Sequence, residues 1–298
     1  MERLLSKSRK ALTLALTNPR EFGYRLSLFL RETIRRPLLN QPQSAKSGKI
    51  RRNDVVFRID LALDPVMESM YFGTYQTDLI ALMERILRPG DSFIDVGANV
   101  GYVSAIALGL VGRKGQVHAF EPVPQYADRL RQVQQDNPRY HLQVNPMALA
   151  DQPGTATICI TNLPNIGWNT MVPQFMGRKT VQAEVEVSVT TLDHYLATTA
   201  VPNLRLIKID TEGYEFPVIK GLQTTLAKLD PLPILVVEIA PAAYPNMNTS
   251  LVELAAFMET LGYRAWDMAI AHPVEITELT ETTDVVFLPQ SMRSPVER

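Results

Sequence analysis

Acids stand at the ends of four apolar runs in this chain: Asp95 in FIDVGANVG, Glu121 in QVHAFEP, Asp210 and Glu212 in IKIDTEGYE, and Glu238 in LVVEI. A short apolar run that closes on a polar residue has the pattern of a buried strand emerging at the edge of a sheet. A carboxylate there can accept hydrogen bonds from hydroxyls, offset a positive charge or remove a proton. The first two runs carry the parts of a nucleoside site. Gly97 and Gly101 bracket a turn into a helix predicted over 102–110, and glycine lets the backbone adopt unusual dihedrals and approach a ligand closely. Free N–H groups at that helix start suit a carboxylate or phosphate. Twenty residues past Gly101, Glu121 ends the next run, where an acid can accept from ribose hydroxyls.

Dinucleotide dehydrogenases use a related turn, with glycines at the first, third and sixth positions. Here Gly97-Ala98-Asn99-Val100-Gly101 has two glycines, with Asn99 between them and Asp95 two positions ahead. An acid at Asp95 would repel a pyrophosphate but could bind an ammonium group. S-adenosylmethionine carries an ammonium, a carboxylate and a ribose, so D-x-G-x-N-x-G followed by an acid fits it better. A nicotinamide cofactor is the weaker alternative.

The FIDVGANVG run resembles the S-adenosylmethionine-binding segment of the FkbM family of methyltransferases. Three further blocks match in order: Gly154 with VTTLDHYL around Leu192 and Asp193, IKIDTEGYE, and LVVEI. The likeness covers roughly 70–290; after FGTY the family tends to place Glu where this chain has Gln76. The resemblance implies a class I methyltransferase fold, a Rossmann-like seven-stranded, mostly parallel sheet. It also implies cofactor contacts from Asp95, Gly97, Asn99, Gly101, Glu121, Pro122 and Ala148, and an acceptor hydroxyl on a glycan, glycolipid or secondary metabolite.

Methyl transfer to oxygen needs the acceptor held in line, water excluded and a base for the hydroxyl proton. Asp210 and Glu212 are the leading catalytic candidates, Glu212 as general base and Asp210 orienting acceptor or cofactor. Capping of the following helix by Asp210, Glu212 and Glu215 is the structural alternative. Glu238 is the third candidate, because a carboxylate ending an apolar strand needs a partner or a task. Asp210 and Glu238 could also share a divalent cation, but no His joins them at ligand spacing, and no metal is expected. Nitrogen methylation is a second reading; the Asn/Asp-Pro-Pro-aromatic run common in such enzymes is missing from IDTEGYE. A non-catalytic cofactor-binding subunit is a third. For the acceptor, the loop NLPNIGWNT offers Asn165, Trp168 and Asn169 as an aromatic platform with amide groups, or simply a hairpin tip. The four histidines carry no pattern that singles one out.

The elements that must position these residues alternate. Helix 77–87, strand 93–96, helix 102–110, strand 116–120, helix 125–136 and strand 142–148 come first. Two alternating runs, 155–160 and 181–189, interrupt as a β-hairpin or added antiparallel strands. The alternation resumes with strand 204–209, helix 215–229, strand 234–238, helix 249–261 and strands 264–268 and 284–288. This predicts parallel strands with crossover helices and a closing antiparallel pair.

The net charge of −1 hides an asymmetry: Met1 to Arg58 holds 14 Lys and Arg against 4 Asp and Glu, and the remainder 16 against 27. Residues 1–38 alternate leucines and basics at helical spacing, so 1–52 reads as a basic helical extension with a linker over 40–52. The methyltransferase domain follows at 53–298, with its insertion at roughly 154–190. The extension can pack on its own body or a partner subunit, lie on an anionic membrane surface, or be a cleaved targeting peptide. Basic residues without interleaved aromatics do not suggest nucleic acid. Lone Cys159 excludes an intrachain disulfide framework, and no apolar run nears the roughly 18 residues of a membrane span. A cytoplasmic enzyme, peripheral to a membrane at most and of open oligomeric state, is the expectation.

Overall fold

The computed structural model describes residues 47–60, 66–161, 169–176 and 181–292. The predicted basic helices over 1–38 lie outside them, as do Asn165 and Trp168. The chain divides into two units, Met1–Gly48 with Ile59–Thr77, and Lys49–Arg58 with Asp78–Arg298. In the first, α1 (Val66–Phe72) buries Met67, Met70 and Phe72. Part of the predicted linker is structured: β1 (Ser47–Arg52) pairs with β2 (Val55–Asp60) in a two-stranded sheet. Asn53 and Asp54 between them both have positive φ, 46° and 64°, the geometry of a two-residue hairpin turn.

The second unit is built on α2 (Thr77–Ile86), β3 (Ser92–Val96), α3 (Tyr102–Val111), β4 (Gln116–Phe120), α4 (Pro124–Asp136) and β5 (His141–Asn145). The run predicted as a strand over 142–148 divides in two. Pro146 cannot donate to the ladder, β5 ends at Asn145, and Ala148 belongs to a short strand β6 (Ala148–Leu149) in a different sheet. The insertion is antiparallel as expected: β7 (Gly154–Thr161) pairs with β8 (Val181–Thr190), which β6 joins in parallel. A short helix α5 (Pro173–Met176) lies within it.

Then come α6 (Leu192–Thr198), β9 (Leu204–Ile209), α7 (Glu215–Lys220), α8 (Gln223–Leu226), β10 (Ile234–Ile239), α9 (Leu251–Thr260), β11 (Tyr263–Trp266) and β12 (Thr283–Pro289). The helix predicted over 215–229 is broken at Gly221, whose backbone lies against Ala150; a Cβ there would stand 2.0 Å from the Ala150 carbonyl oxygen. α9 starts on a capping box: the Ser250 hydroxyl accepts from Glu253 N, and the Glu253 carboxylate accepts from Ser250 N.

The main sheet has the order β11-β12-β10-β9-β3-β4-β5, all parallel except β12. Both its faces are covered, so β3 is buried along its whole length and reads as a continuous apolar run with one acid. Strand order reverses between β3 and β9. In open α/β sheets ligands bind outside the carboxyl ends of the strands at such a switch point. The runs ending in Asp95, Glu121, Asp210 and Glu238 all finish at that edge.

Candidate active site

The β3–α3 turn is set by close backbone approach. Gly97 has φ +73°, and a Cβ there would stand 1.7 Å from the Asp210 carbonyl oxygen. Gly101 has φ +85° and would clash with Leu130. Asn99, at φ +52°, accepts on Oδ1 from Val100 N at 2.6 Å, a local bond that favours a left-handed asparagine. Replacing Gly97 with alanine is therefore expected to cost more than about 3 kcal/mol, since the clash is with main chain at the centre of the sheet. Chemical denaturation measures this; an unchanged midpoint would mean the β3 and β9 ends can part freely.

Glu121 is buried beside this turn. One carboxylate oxygen accepts from Asn99 N and the other from Val123 N, both at 2.8 Å. Burial pushes its carboxyl up to about 7 despite those two donors. Each oxygen retains a lone pair, so the group can still accept from a vicinal diol. Pro122 follows it, partly buried.

Asp95 is fully buried, and its oxygens face groups within the protein. Oδ2 accepts from Ser104 Oγ at 2.6 Å, and Oδ1 lies 3.3 Å from Lys208 Nζ. Lys208, itself buried, also donates to the Gly97 carbonyl at 3.0 Å and meets Asp210 Oδ2 at 3.1 Å. One ammonium thus joins the strand end, the glycine turn and the first acid of DTEGYE.

Among the three acids after β9, Glu215 folds back on the loop that precedes α7, and the start of that helix has no side-chain cap. Glu215 Oε1 accepts from Thr211 N, Thr211 Oγ1 and Gly213 N. Asp210 and Glu212 are left for other work. Asp210, Glu212 and Glu238 bring carboxylate oxygens within 4.8 Å of one another, a group that could hold a cation. Burial, then the Asp210 and Glu215 carboxylates, push Glu212 up to about 9; burial and the same cluster push Glu238 up to about 11. Glu238 Oε2 is buried and has no hydrogen-bond partner among the described residues. Glu212 sits at φ +53°, a costly conformation for a residue of its type, and its carbonyl accepts from Thr170 Oγ1 at 2.6 Å.

Several of these partners were not singled out in the sequence. Ser104, in the first turn of α3, is marked only by being polar in an apolar helix. Asp284 faces Glu238 across the antiparallel β10–β12 pair, a register no local pattern shows. Thr170 reaches Glu212 from the insertion. Of the proposed acceptor loop, Asn169 is described, and its Oδ1 accepts from Thr161 N at 3.3 Å. Ala148 is buried in the insertion sheet.

These parts fit a methyl-donor nucleoside: a glycine turn that no Cβ could enter, a buried Glu121 carboxylate with lone pairs left for a diol, and, at the end of β10, a buried carboxylate oxygen with no hydrogen-bond partner among the described residues. Residues 95–265, more than half of the chain, match the family described as methyltransferase FkbM domain, and the chain belongs to that family. It is a methyltransferase whose methyl donor is S-adenosylmethionine. It is 28% identical over 182 residues to the hexuronic acid methyltransferase AglP of Haloferax volcanii, covering 60% of this chain and 69% of AglP. A 57-residue stretch is 35% identical to protein-L-isoaspartate O-methyltransferase 2 of Archaeoglobus fulgidus, covering 18% of this chain and 26% of that protein. Among solved structures it is similar to a precorrin-6y C5,15-methyltransferase from Geobacter metallireducens, with TM-score 0.39, 13% identity and coverage of 72% and 87%. Among the described residues no helix is long and apolar enough to cross a membrane.

Proposed function

We propose that the chain methylates oxygen, at a hydroxyl of a glycan, glycolipid or secondary metabolite. The observation that carries this reading is the convergence of carboxylate oxygens of Asp210, Glu212 and Glu238 within 4.8 Å of one another, with the Asp210 main chain against the Gly97 turn, which supports a proton acceptor in that cleft. S-adenosylmethionine supplies an electrophilic methyl group on a sulfonium. In this reading Gly97, Asn99 and Gly101 let the main chain meet the donor's amino-acid portion, Glu121 takes the ribose hydroxyls, and Pro122 and Ala148 flank the base. Asp95 acts through Lys208, holding the ammonium that fixes the turn against Asp210. Asp210 orients the acceptor, and Glu212 takes the hydroxyl proton onto a carboxylate oxygen as the acceptor oxygen becomes nucleophilic. Glu238, held protonated by burial and its acidic neighbours, keeps the cleft polar and offers a hydrogen-bond donor to the acceptor. AglP, named for a hexuronic acid, supports a sugar acceptor. The domain boundary near residue 53 and the insertion at roughly 154–190 belong to the same proposal.

The experiment is transfer of labelled methyl from S-adenosylmethionine to a panel of hydroxylated sugars and glycolipids, with amine analogues alongside. Label in a base-stable methyl ether is the expected product. Label on nitrogen alone would overturn the oxygen assignment.

A further inference from the structure

A second site lies at the opposite edge of the sheet. A cavity of about 410 Å³ is lined by Arg51 of β1, Asp54 of the hairpin turn, Arg113 just before β4, Asp136 at the end of α4, and Arg139 and Tyr140 just before β5. β4 and β5 are parallel, so their starts face away from the carboxyl ends where the acids gather, roughly 16 Å off along a five-residue strand. The walls are tied together. Asn137, buried, accepts from Val56 N and donates to Val56 O, both at 2.7 Å, which clamps the hairpin to the end of α4.

The charge of this cavity is unbalanced. Asp136 is already held by Arg58 at 2.6 Å and Lys49 at 3.2 Å. Arg51, Arg113 and Arg139 have no ion-pair or hydrogen-bond partner among the described residues, and Asp54 alone opposes them. The three guanidinium groups are exposed, so water and salt screen their mutual repulsion, and they line one concavity with unpaired donors that an anion can join. Their planar forks match the several acceptor oxygens of a phosphate better than a single carboxylate. The volume exceeds that of a bare phosphate and falls in the range of small-ligand pockets.

We propose that this groove binds a phosphate group carried on a larger molecule, a phosphomonoester or diphosphate, away from the methyl-transfer edge. The site does not depend on the oxygen-methylation reading. Its test is calorimetric titration of the full chain with inorganic pyrophosphate, and co-sedimentation with phosphatidylcholine vesicles with and without phosphatidic acid. Both are repeated on the R113Q/R139Q double variant. The wild type should bind pyrophosphate or the phosphatidic acid vesicles, and the variant roughly tenfold or more weaker, with S-adenosylhomocysteine affinity unchanged. Binding of pyrophosphate assigns the site to a soluble phosphate; binding of the vesicles alone assigns it to a lipid headgroup. No binding of either probe by the wild type, or equal binding by the variant, would overturn the proposal.

Discussion

Replacing Glu121 with alanine is expected to weaken S-adenosylhomocysteine binding by about two to three orders of magnitude while leaving the fold intact. On the ribose assignment, this carboxylate accepts two hydroxyls, and hydrogen bonds to a charged group contribute roughly 1.5–3 kcal/mol each. The loss has a second source: the Asn99 and Val123 N–H groups would lose the acceptor that fixes the turn. A pH dependence follows in the wild type. Burial raises the Glu121 carboxyl to about 7, so the charged, accepting form is lost as pH falls through that value. Affinity should rise as pH climbs through about 7 and level off above that value. Calorimetry on both proteins across that range is the measurement, and near-wild-type affinity in the variant would remove the ribose from Glu121.

The Glu212→Gln variant should bind S-adenosylhomocysteine within a few-fold of the wild type and lose roughly 10²- to 10⁴-fold in kcat, the usual contribution of a general base. Glutamine keeps the shape and the Thr170 contact to the backbone carbonyl, so geometry is preserved while the proton acceptor is removed. The neighbouring carboxylates and burial raise Glu212 to about 9, which means the base is mostly protonated at neutral pH in the free protein. Wild-type kcat/KM should therefore climb with pH toward about 9, and a positively charged donor should draw the corresponding limb of kcat to lower pH. The variant should lack that limb. Unchanged turnover would move the base to Asp210 or Glu238.

Much of this architecture is legible along the chain because strands and helices are local. β4 and β9 occupy the stretches their apolar runs predict, whereas the strand order that makes the switch point is set by pairing across the sheet. Residues needed at a strand end are legible too, since Asp95, Glu121, Asp210 and Glu238 each interrupt an apolar pattern. Breaks imposed by distant contact are not: Gly221 ends α7 because Ala150 lies against it, a neighbour 71 residues away. Pro146 was in plain view, yet the apolar continuation through Ala148 concealed that two sheets share the run.

The sequence by itself determined the family, the strand-end acids and the glycine turn, because each rests on residue type and short spacing. Tertiary structure alone decided how the acids divide their labour. Lys208 is one lysine in a strand until β3 and β9 pair and set its ammonium among Asp95, Gly97 and Asp210. Glu212 and Glu238 bring carboxylate oxygens close to one another and to Asp210 only when the ends of β9 and β10 come side by side. Three arginines far apart in the chain likewise meet around one cavity only in the fold. Electrostatic energy depends on distance through space, which spacing along the chain does not encode.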